Sequence, residues 1–508
     1  MALYWSLAHA LATPQGILER SIAPGLAEPF LDESSFKSGR ARSNSLPDRI
    51  NLLADEAAPQ TIGRMLPPQF LTEGATMRST VFNLVSTCLG SGMLALPATL
   101  AKLGLAGGLF MLVLVPWLGE RTTALMVVAT ELTGGETYTV VAERTLGRAG
   151  SVVTAAALIA LNYGVCVSYL IVVKDLLPWE LKVVLGVDVS GTLCLAAVAV
   201  AVLVPLSAME KMDQLRYASV ASVALTYAFV ALVMYAGVST FLRLSADEAA
   251  AWWSQQLFRG GAGDWLEAVP VVCFSYLCTQ NVPYLFLELR RQSSWNSPSR
   301  YVSKRVKFQS SARVAMALCT LIYCAMAAGG FAAFGQAARP DLLENFQAGS
   351  PVLPDVLVHV LRIAFVLVMV TTFPSISFGL RGSLHTLAFR DATATAAQRW
   401  AESVLLVAAA VVLAVIVDDL GLVFQLMGST CGALIMFILP AATYLRCKQR
   451  AIKVATSDVS ASPSASKLLQ VLDGERFGDD AVVAWAILAF GCWVAVYNVA
   501  SVAVARLQ

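Results

Sequence analysis

The sequence predicts an all-α polytopic membrane protein with eleven transmembrane helices. Of its 508 residues, 57% are hydrophobic and only 14% are charged, whereas soluble domains carry about 25% charged residues. Apolar runs long enough to cross a hydrocarbon core of about 30 Å recur along the chain. The first and the sixth of these runs are interrupted in the middle by residues that loosen a helix, which indicates a site inside the membrane.

The predicted spans follow one another with short connections. The ninth is the least apolar, and Asp418 and Asp419 separate it from the tenth, so the two are expected to form a hairpin. The eleven spans cover residues 79–101, 105–132, 151–176, 191–209, 216–240, 265–287, 313–336, 353–380, 400–417, 420–445 and 480–504.

The segments outside the ten-helix core, residues 79–445, are predicted from composition. Residues 1–78 are rich in proline and carry charges of both signs, so a mostly disordered cytosolic arm is expected. The arm begins without the basic region and long apolar region of a signal peptide. Residues 446–479 are predicted to be a cytosolic linker, and residues 480–508 an eleventh helix with a short non-cytosolic tail.

The distribution of lysine and arginine predicts the topology. The links 288–313 and 446–479 both follow even-numbered spans and hold seven and six basic residues, respectively. The links after spans three, five and seven hold few. By the positive-inside rule the amino terminus and the even-numbered links are cytosolic, and the chain ends on the other side.

Composition and motifs exclude several classes of function. The net charge of +2 is small and scattered among loops, so no nucleic-acid partner is expected. Nine of the ten cysteines lie in spans, and none lies in an outer link that could form a disulfide. The three histidines have no cysteine at metal-ligand spacing, and nucleotide-binding and hydrolase motifs are absent. Neither a cofactor nor an enzymatic activity is expected.

The first interruption is the sequence NLVSTCLGSGMLALP, residues 83–97, with Gly90, Ser91 and Gly92 near its centre. Backbone groups freed in mid-membrane are tolerated only where protein or a water-filled cavity covers them. Half-helix ends then present N–H donors and carbonyl acceptors to a ligand. The alternative is a notch of small residues that lets two helices pack closely.

The second interruption is VVCFSYLCTQNVPYLFLEL, residues 271–289, where Thr279, Gln280, Asn281 and Pro283 break an apolar run. Polar side chains at that depth are costly and mark pathways. If spans one to five and six to ten are two halves, the breaks occupy matching positions. This spacing predicts a five-plus-five inverted-repeat transporter with broken helices 1 and 6.

Several segments resemble the amino acid/auxin permease family, which contains the sodium-coupled neutral and the proton-coupled amino acid transporters. The matching segments run in family order across about residues 79–445 and read VFNLVSTCLGSGMLALPATLAKLG, YTVVAERTLGRAG, YGVCVSYLIVVKDLLP, FSYLCTQNVPYLFLEL, GGFAAFG, VTTFPSISFGLRGSL and DDLGLVFQLMGSTCGALIMFILPAATYLR. The resemblance implies the LeuT-like fold of the amino acid–polyamine–organocation superfamily, with the eleventh span outside its core. It also implies secondary active transport of amino acids by alternating access.

The resemblance also implies site residues. The substrate's α-carboxylate and α-amino group are expected against the first break, and an aromatic of the sixth span is a candidate gate. A sodium site, where the family has one, would join first-span carbonyls to the hydroxyls of Thr371 and Thr372, whose alternative role is to bond their own helix. The implied substrate-binding residues are Thr87, Cys88, Leu89, Gly90, Ser91, Gly92, Phe274, Ser275 and Tyr276.

Two departures from the family pattern leave the coupling ion and the substrate open. Sodium-coupled members usually carry asparagine where this chain has Ser86, which puts sodium coupling in doubt. Many members have histidine and proline where this chain has Thr279 and Gln280. Glu120, near the middle of span two beside Arg121, is either a structural ion-pair partner or a proton-coupling carboxylate. The coupling ion is predicted to be H+ or Na+, with a slight preference for H+.

We therefore expect a multi-pass transporter of neutral L-amino acids in the plasma membrane or the vacuolar or lysosomal membrane. The interrupting residues 90–92 and 279–283 include no carboxylate to accompany a cationic side chain, which favours small or medium neutral substrates. One alternative is an amino-acid-sensing membrane receptor that uses the same site. The other is a carrier of auxin-like or amine substrates.

Overall fold

The computed structural model describes residues 76–209, 216–243, 245, 247, 256–289, 304–346, 352–389, 395–417, 419–457 and 480–507. The predicted disordered arm and most of the predicted linker lie outside these residues. The described residues up to Arg450, together with those from Asp480 onward, belong to one compact unit.

The described residues fold almost entirely into helices, which confirms the predicted all-α class. Turns of π-helix join α4 to α5 and α12 to α13. The helices are α1 (Met77–Cys88), α2 (Leu96–Thr133), α3 (Tyr138–Leu185), α4 (Gly191–Val198), α5 (Val204–Ser207), α6 (Arg216–Phe241), α7 (Ala262–Ser275), α8 (Val282–Glu288), α9 (Lys304–Phe334), α10 (Asp355–Phe389), α11 (Ala396–Ile416), α12 (Leu420–Met427), α13 (Leu439–Ser457) and α14 (Asp480–Leu507).

Each of the eleven predicted apolar runs coincides with one or more of these helices. Within the described residues, eight continuous helical segments are long and apolar enough to cross a membrane. The shorter segment Gly191–Ser207 corresponds to the fourth run. The first run is divided between α1 and the start of α2, and the sixth between α7 and α8. Broken helices 1 and 6 are thus confirmed.

A single glycine replaces the loop between the first two runs. Gly104 has φ 76°, a left-handed conformation that favours glycine, inside the segment assigned to α2. The backbone groups freed there are satisfied by the segment before α7. The amide of Ala106 donates to the carbonyl of Leu257 at 2.9 Å, and the amide of Arg259 donates to the carbonyl of Leu103 at 3.2 Å. The turn is therefore pinned from outside its own hairpin.

Charged residues join α2 to α9 along their shared face. Arg305 donates to Glu131 through two guanidinium nitrogens, at 2.9 Å and 2.7 Å. One turn or more further along, Arg313 lies 3.2 Å from Glu120. Because α9 begins at Lys304 rather than at 313, Lys304, Arg305 and Lys307, which were predicted to lie in the preceding link, form the first turns of this helix. The pairing of Arg305 with α2 stabilises that extension.

A second group of charges lies where α3 meets α10, and we call Glu180, His359, Arg362 and Asp341 the α3–α10 charge cluster. The Glu180 side chain is 3% exposed. One of its carboxylate oxygens lies 2.9 Å from Nδ1 of His359, and the other lies 3.3 Å from Nε of Arg362. The Glu180 oxygen and the Arg362 Nε form an ion pair but no hydrogen bond. The Arg362 guanidinium also stacks on Trp179 at 4.4 Å, so the cluster combines ion pairs with a cation–π contact.

Candidate substrate site

The first break begins where α1 ends. After Cys88 the backbone becomes extended, with ψ 93° at Leu89 and φ −143°, ψ −161° at Gly90. Residues Ser91–Ala95 then form a buried turn of 3₁₀-helix that leads into α2. Pro97 lies in the first turn of α2, where its missing N–H costs nothing.

The second break repeats this order of parts. The helix α7 ends at Ser275, Tyr276 leaves the helical conformation, and Thr279–Asn281 form a 3₁₀ turn. The helix α8 then begins at Val282, again with a proline, Pro283, in its first turn. Both breaks therefore pair the carbonyl end of one half-helix with the N–H end of another.

The two breaks contact each other through Gly92. A β-carbon added at this glycine would lie 2.8 Å from Oγ and 3.1 Å from Cα of Ser275, and 3.1 Å from the ring of Phe274. These distances are too short for a side chain, so only glycine permits the approach. Gly92 is thus a point of close packing between the two breaks. The choice between a substrate-binding break and a simple packing notch stays a prediction.

A side-chain hydrogen bond also links the second break to the last turn of α1. The Asn281 amide donates to the Thr87 hydroxyl at 3.1 Å, and Thr87 donates to the carbonyl of Asn83 at 2.7 Å. Ser86 likewise donates to the carbonyl of Asn83, at 3.1 Å. Of the predicted residues, Gly92 therefore contacts Ser275 and Phe274, while Thr87 contacts the second break separately, through Asn281.

Helix α3 completes the wall of the first break with two residues that the sequence did not single out. Ser91 Oγ lies 2.9 Å from Ser168 Oγ. Because Ser168 donates its own proton to the carbonyl of Val165, Ser91 is the donor of this pair. The Tyr169 hydroxyl lies 3.5 Å from the position that a Gly90 β-carbon would take.

Tyr323 of α9 is a third residue that sequence reasoning missed. Its hydroxyl lies within hydrogen-bonding distance of the carbonyls of Cys88 and Ser275, the last residues of α1 and α7. Cys88, Cys278 and Cys319 interact with one another nearby. All three cysteines are free and buried, as expected for small packing residues.

The aromatic residues of the sixth span are packed. Phe274 stacks on Phe424 of α12 with ring centroids 5.0 Å apart. The Tyr276 hydroxyl donates to the carbonyl of Leu112 at 2.9 Å, so its polar end is directed to α2. The predicted gating role of either ring stays a prediction.

The predicted ion-coupling residues are not brought together by the contacts of the described residues. Thr371 donates to the carbonyls of Leu367 and Val368 on its own helix, at 2.7 Å and 3.1 Å, which is the back-bonding alternative. Glu120 has found a partner on another helix, as expected, through its ion pair with Arg313. A sodium site at Thr371 and Thr372 and proton coupling through Glu120 stay predictions.

The breaks hold no charged side chain but contain two polar atoms without a partner. Residues 83–97 and 271–287 contain no Asp, Glu, Lys, Arg or His. Among the described residues, Thr279 Oγ1 and Gln280 Oε1 are buried and lack a hydrogen-bond partner. Other buried atoms of the described residues share this feature, among them Glu180 Oε1 and Asp341 Oδ2, but Thr279 and Gln280 are the two that lie in a break. Across the part of the chain that the structure describes, no cluster of three or more His, Cys, Asp or Glu residues is arranged to hold a metal ion.

Two broken helices that meet in mid-membrane define a secondary transporter with discontinuous spans. Known proteins agree with this class. The family model for transmembrane amino acid transporter proteins matches residues 73–461. The chain therefore belongs to that family, and it is a secondary transporter of amino acids rather than an enzyme.

Two curated relatives and two solved structures illustrate the similarity. Amino acid transporter AVT6E of Arabidopsis thaliana is 28% identical over 74% of this chain and 76% of its own length. Amino acid transporter AVT6B of the same plant is 27% identical over 73% of this chain and 83% of its own length. An inward-facing structure of Mhp1 has a TM-score of 0.53 at 12% identity, covering 86% of this chain and 95% of that chain. A closed conformation of Mhp1 with bromovinylhydantoin bound has a TM-score of 0.50, also at 12% identity. Both structures support the transporter fold assigned above.

Proposed function

We propose that the two breaks bind the α-amino and α-carboxylate groups of a neutral L-amino acid and carry it across the membrane by alternating access. The observation that supports this most is the pair of unpartnered polar atoms, Thr279 Oγ1 and Gln280 Oε1, buried beside uncharged half-helix ends. A zwitterion offers both a donor and an acceptor. Its ammonium matches the carbonyl ends after Cys88 and Ser275, and its carboxylate matches the N–H ends that follow.

The absence of charged side chains from residues 83–97 and 271–287 supports a neutral substrate side chain. A lysine or arginine substrate would bring a third charge into a site that offers no counter-ion for it, and its desolvation would be uncompensated. The backbone charges of the amino acid, by contrast, are matched by dipoles of both signs.

Uptake into proteoliposomes tests this function. The purified full chain is reconstituted and offered a panel of labelled amino acids, with auxin-like acids and simple amines as competitors. The expected result is saturable uptake and counterflow of neutral L-amino acids. Binding without counterflow would support the receptor alternative, and competition by auxin-like acids or amines alone would support the other alternative.

The coupling ion is proposed to be a proton or a sodium ion. Uptake is measured at fixed membrane potential while pH and sodium are varied separately, in the wild type, in Glu120→Gln and in Thr371→Val/Thr372→Val. Under proton coupling, uptake rises as external pH falls and Glu120→Gln uncouples it. Saturable sodium dependence that disappears in the double valine variant assigns sodium instead, and leaves Glu120 and Arg313 as a structural pair.

We also propose a cytosolic amino terminus and a location in the plasma membrane or the vacuolar or lysosomal membrane. The basic residues of the 288–313 and 446–479 links support this orientation through the positive-inside rule. Fluorescence of a tagged full-length chain, with protease protection of tags at each terminus, tests both statements.

A further inference from the structure

Tyr323 occupies a singular position between the two breaks. It lies on α9, its side chain is fully buried, and its hydroxyl approaches two carbonyl oxygens at once. One belongs to Cys88 and the other, at 2.8 Å, to Ser275. These are the last residues of α1 and α7, so a third helix contacts the carbonyl ends of both half-helices.

The contact joins one hydrogen-bond donor to two acceptors. A tyrosine hydroxyl has one proton to donate, and here two carbonyl acceptors compete for it. Each carbonyl end of a helix also carries partial negative charge, so two such ends repel each other. A shared proton offsets that repulsion and fixes the separation of the ends.

We infer that Tyr323 is a positioning residue for substrate binding: it sets the spacing of the two carbonyl ends that receive the substrate's ammonium group. This inference rests on the proposed function. The residue acts through Cys88 and Ser275. Ser275 contacts Gly92 through its side chain and Cα, and the tyrosine hydroxyl through its carbonyl.

The surroundings of the ring allow the hydroxyl to be removed cleanly. The ring of Tyr323 packs edge-to-face on Tyr276 with centroids 4.9 Å apart, and that contact does not depend on the hydroxyl. Tyr323→Phe therefore preserves the packing and deletes only the donor. The two carbonyl ends then repel without a shared proton.

A matched control exists on α3. Tyr138 is also buried, and its hydroxyl donates to the carbonyl of Ile435 at 2.7 Å, across a helix interface outside both breaks. Tyr138→Phe removes a bond of the same type between helices. Any general cost of losing a buried tyrosine hydroxyl appears in both variants.

The test compares the two variants in the full chain reconstituted in proteoliposomes, using the neutral amino acid that the wild type takes up fastest. Tyr323→Phe is expected to raise KM about tenfold with a smaller change in maximal rate, while Tyr138→Phe leaves KM within about twofold. A purely structural role would reduce the amount of folded protein and the maximal rate and leave KM unchanged. Equal KM in the two variants overturns the inference.

A second measurement does not depend on transport. Hydrogen exchange of the purified full chain is followed by mass spectrometry for peptides covering residues 85–95 and 272–281. Faster exchange at both breaks in Tyr323→Phe, but not in Tyr138→Phe, supports the inference even if the wild type takes up no amino acid. Unchanged exchange at both breaks overturns it, whereas absent uptake by the wild type overturns the proposed function.

Discussion

The two breaks and the α3–α10 charge cluster are both buried and polar, but their hydrogen bonds and ion pairs are formed by different chemical groups. The breaks use backbone groups, hydroxyls and amides, such as the Asn281 amide on Thr87. The cluster uses ionised or ionisable side chains, with Glu180 between His359 and Arg362. The breaks contain no charged side chain, whereas the cluster is built from charged or ionisable ones. Both regions leave some polar atoms without a hydrogen bond: Thr279 Oγ1 and Gln280 Oε1 in the second break, and Glu180 Oε1, Arg362 Nε and Asp341 Oδ2 in the cluster.

This difference in chemical groups indicates which of the two regions can bind a charged ligand. Fixed dipoles can receive a zwitterion and release it, because neither sign is permanently neutralised. A buried ion pair is already matched, and an added charge would break it at a cost of several kcal/mol. The comparison predicts that changes in the breaks affect transport, whereas changes in the cluster affect stability.

The largest expected effect is that of Gly92→Leu. The leucine side chain would need the space taken by Ser275 and Phe274, so the breaks would be forced apart and uptake should fall at least about a hundredfold. Surface expression and uptake of a neutral amino acid are measured. Gly379→Leu is the control, because nothing lies within 4 Å of a β-carbon at Gly379 on α10. Full uptake by Gly92→Leu would contradict the assignment of the site.

Removing a charge from the cluster is expected to be the next largest effect. Glu180→Gln leaves the buried Arg362 without its closest carboxylate, at a cost of about 3 kcal/mol. Thermal unfolding of the purified protein should begin at a lower temperature, while KM for the substrate stays within about twofold. A large rise in KM with unchanged unfolding would show that the cluster takes part in binding.

Substrate charge gives a smaller but informative difference. Since neither break has a carboxylate, arginine is expected to be taken up at least about tenfold less efficiently than a neutral amino acid of similar length. Competition of unlabelled arginine against the labelled neutral substrate measures this ratio. Preferred uptake of arginine would contradict it and would direct attention to Glu120.

The smallest expected effect concerns Asp341, which lies in the link between α9 and α10. Burial raises the pKa of its carboxyl to about 7, with the nearby Glu344 and Asp175 carboxylates acting in the same direction and Arg362 opposing. One carboxyl oxygen accepts from the Leu343 amide, and the other has no partner among the described residues. The hydrogen bond from Leu343 favours the ionised form, but burial outweighs it, so the folded state holds this proton more tightly than the unfolded chain does.

The sign of the resulting pH dependence follows from linkage. Because the folded state binds this proton more tightly than the unfolded chain, its stabilising contribution is complete below about pH 4 and is lost as pH rises through 7. Asp341→Asn should remove this slope, which amounts to roughly 1–2 °C in unfolding temperature per pH unit. Identical slopes in the variant and the wild type would refute the assignment.

Much of the fold could be predicted because its signals are local. Apolar run length located the spans, and the glycines at 90 and 92 and the polar residues at 279–281 located both breaks. The prolines at 97 and 283 each mark the first turn of a second half-helix, a signal that could have fixed where the helices resume. The start of α9 was placed too late, because its basic first turns pair with α2 rather than remain in solvent.

Much of the site could not be predicted because its contacts join distant residues. Ser168 contacts Ser91 from 77 residues away, and Tyr323 contacts Cys88 from 235 residues away. A buried tyrosine or serine in an apolar run resembles many others in sequence. In the same way, nothing near Glu120 in the sequence identifies Arg313 as its partner.

The pinned turn at Gly104 has a consequence for biosynthesis. The carbonyl of Leu103 and the amide of Ala106 find their partners only in residues 257–259, which the ribosome makes after four further spans. Until then the first hairpin is held by its own helices alone, with these groups left to water or lipid headgroups. The first turn of the chain to enter the membrane is thus among the last to be completed, and a nascent chain that ends before residue 257 carries it unfinished.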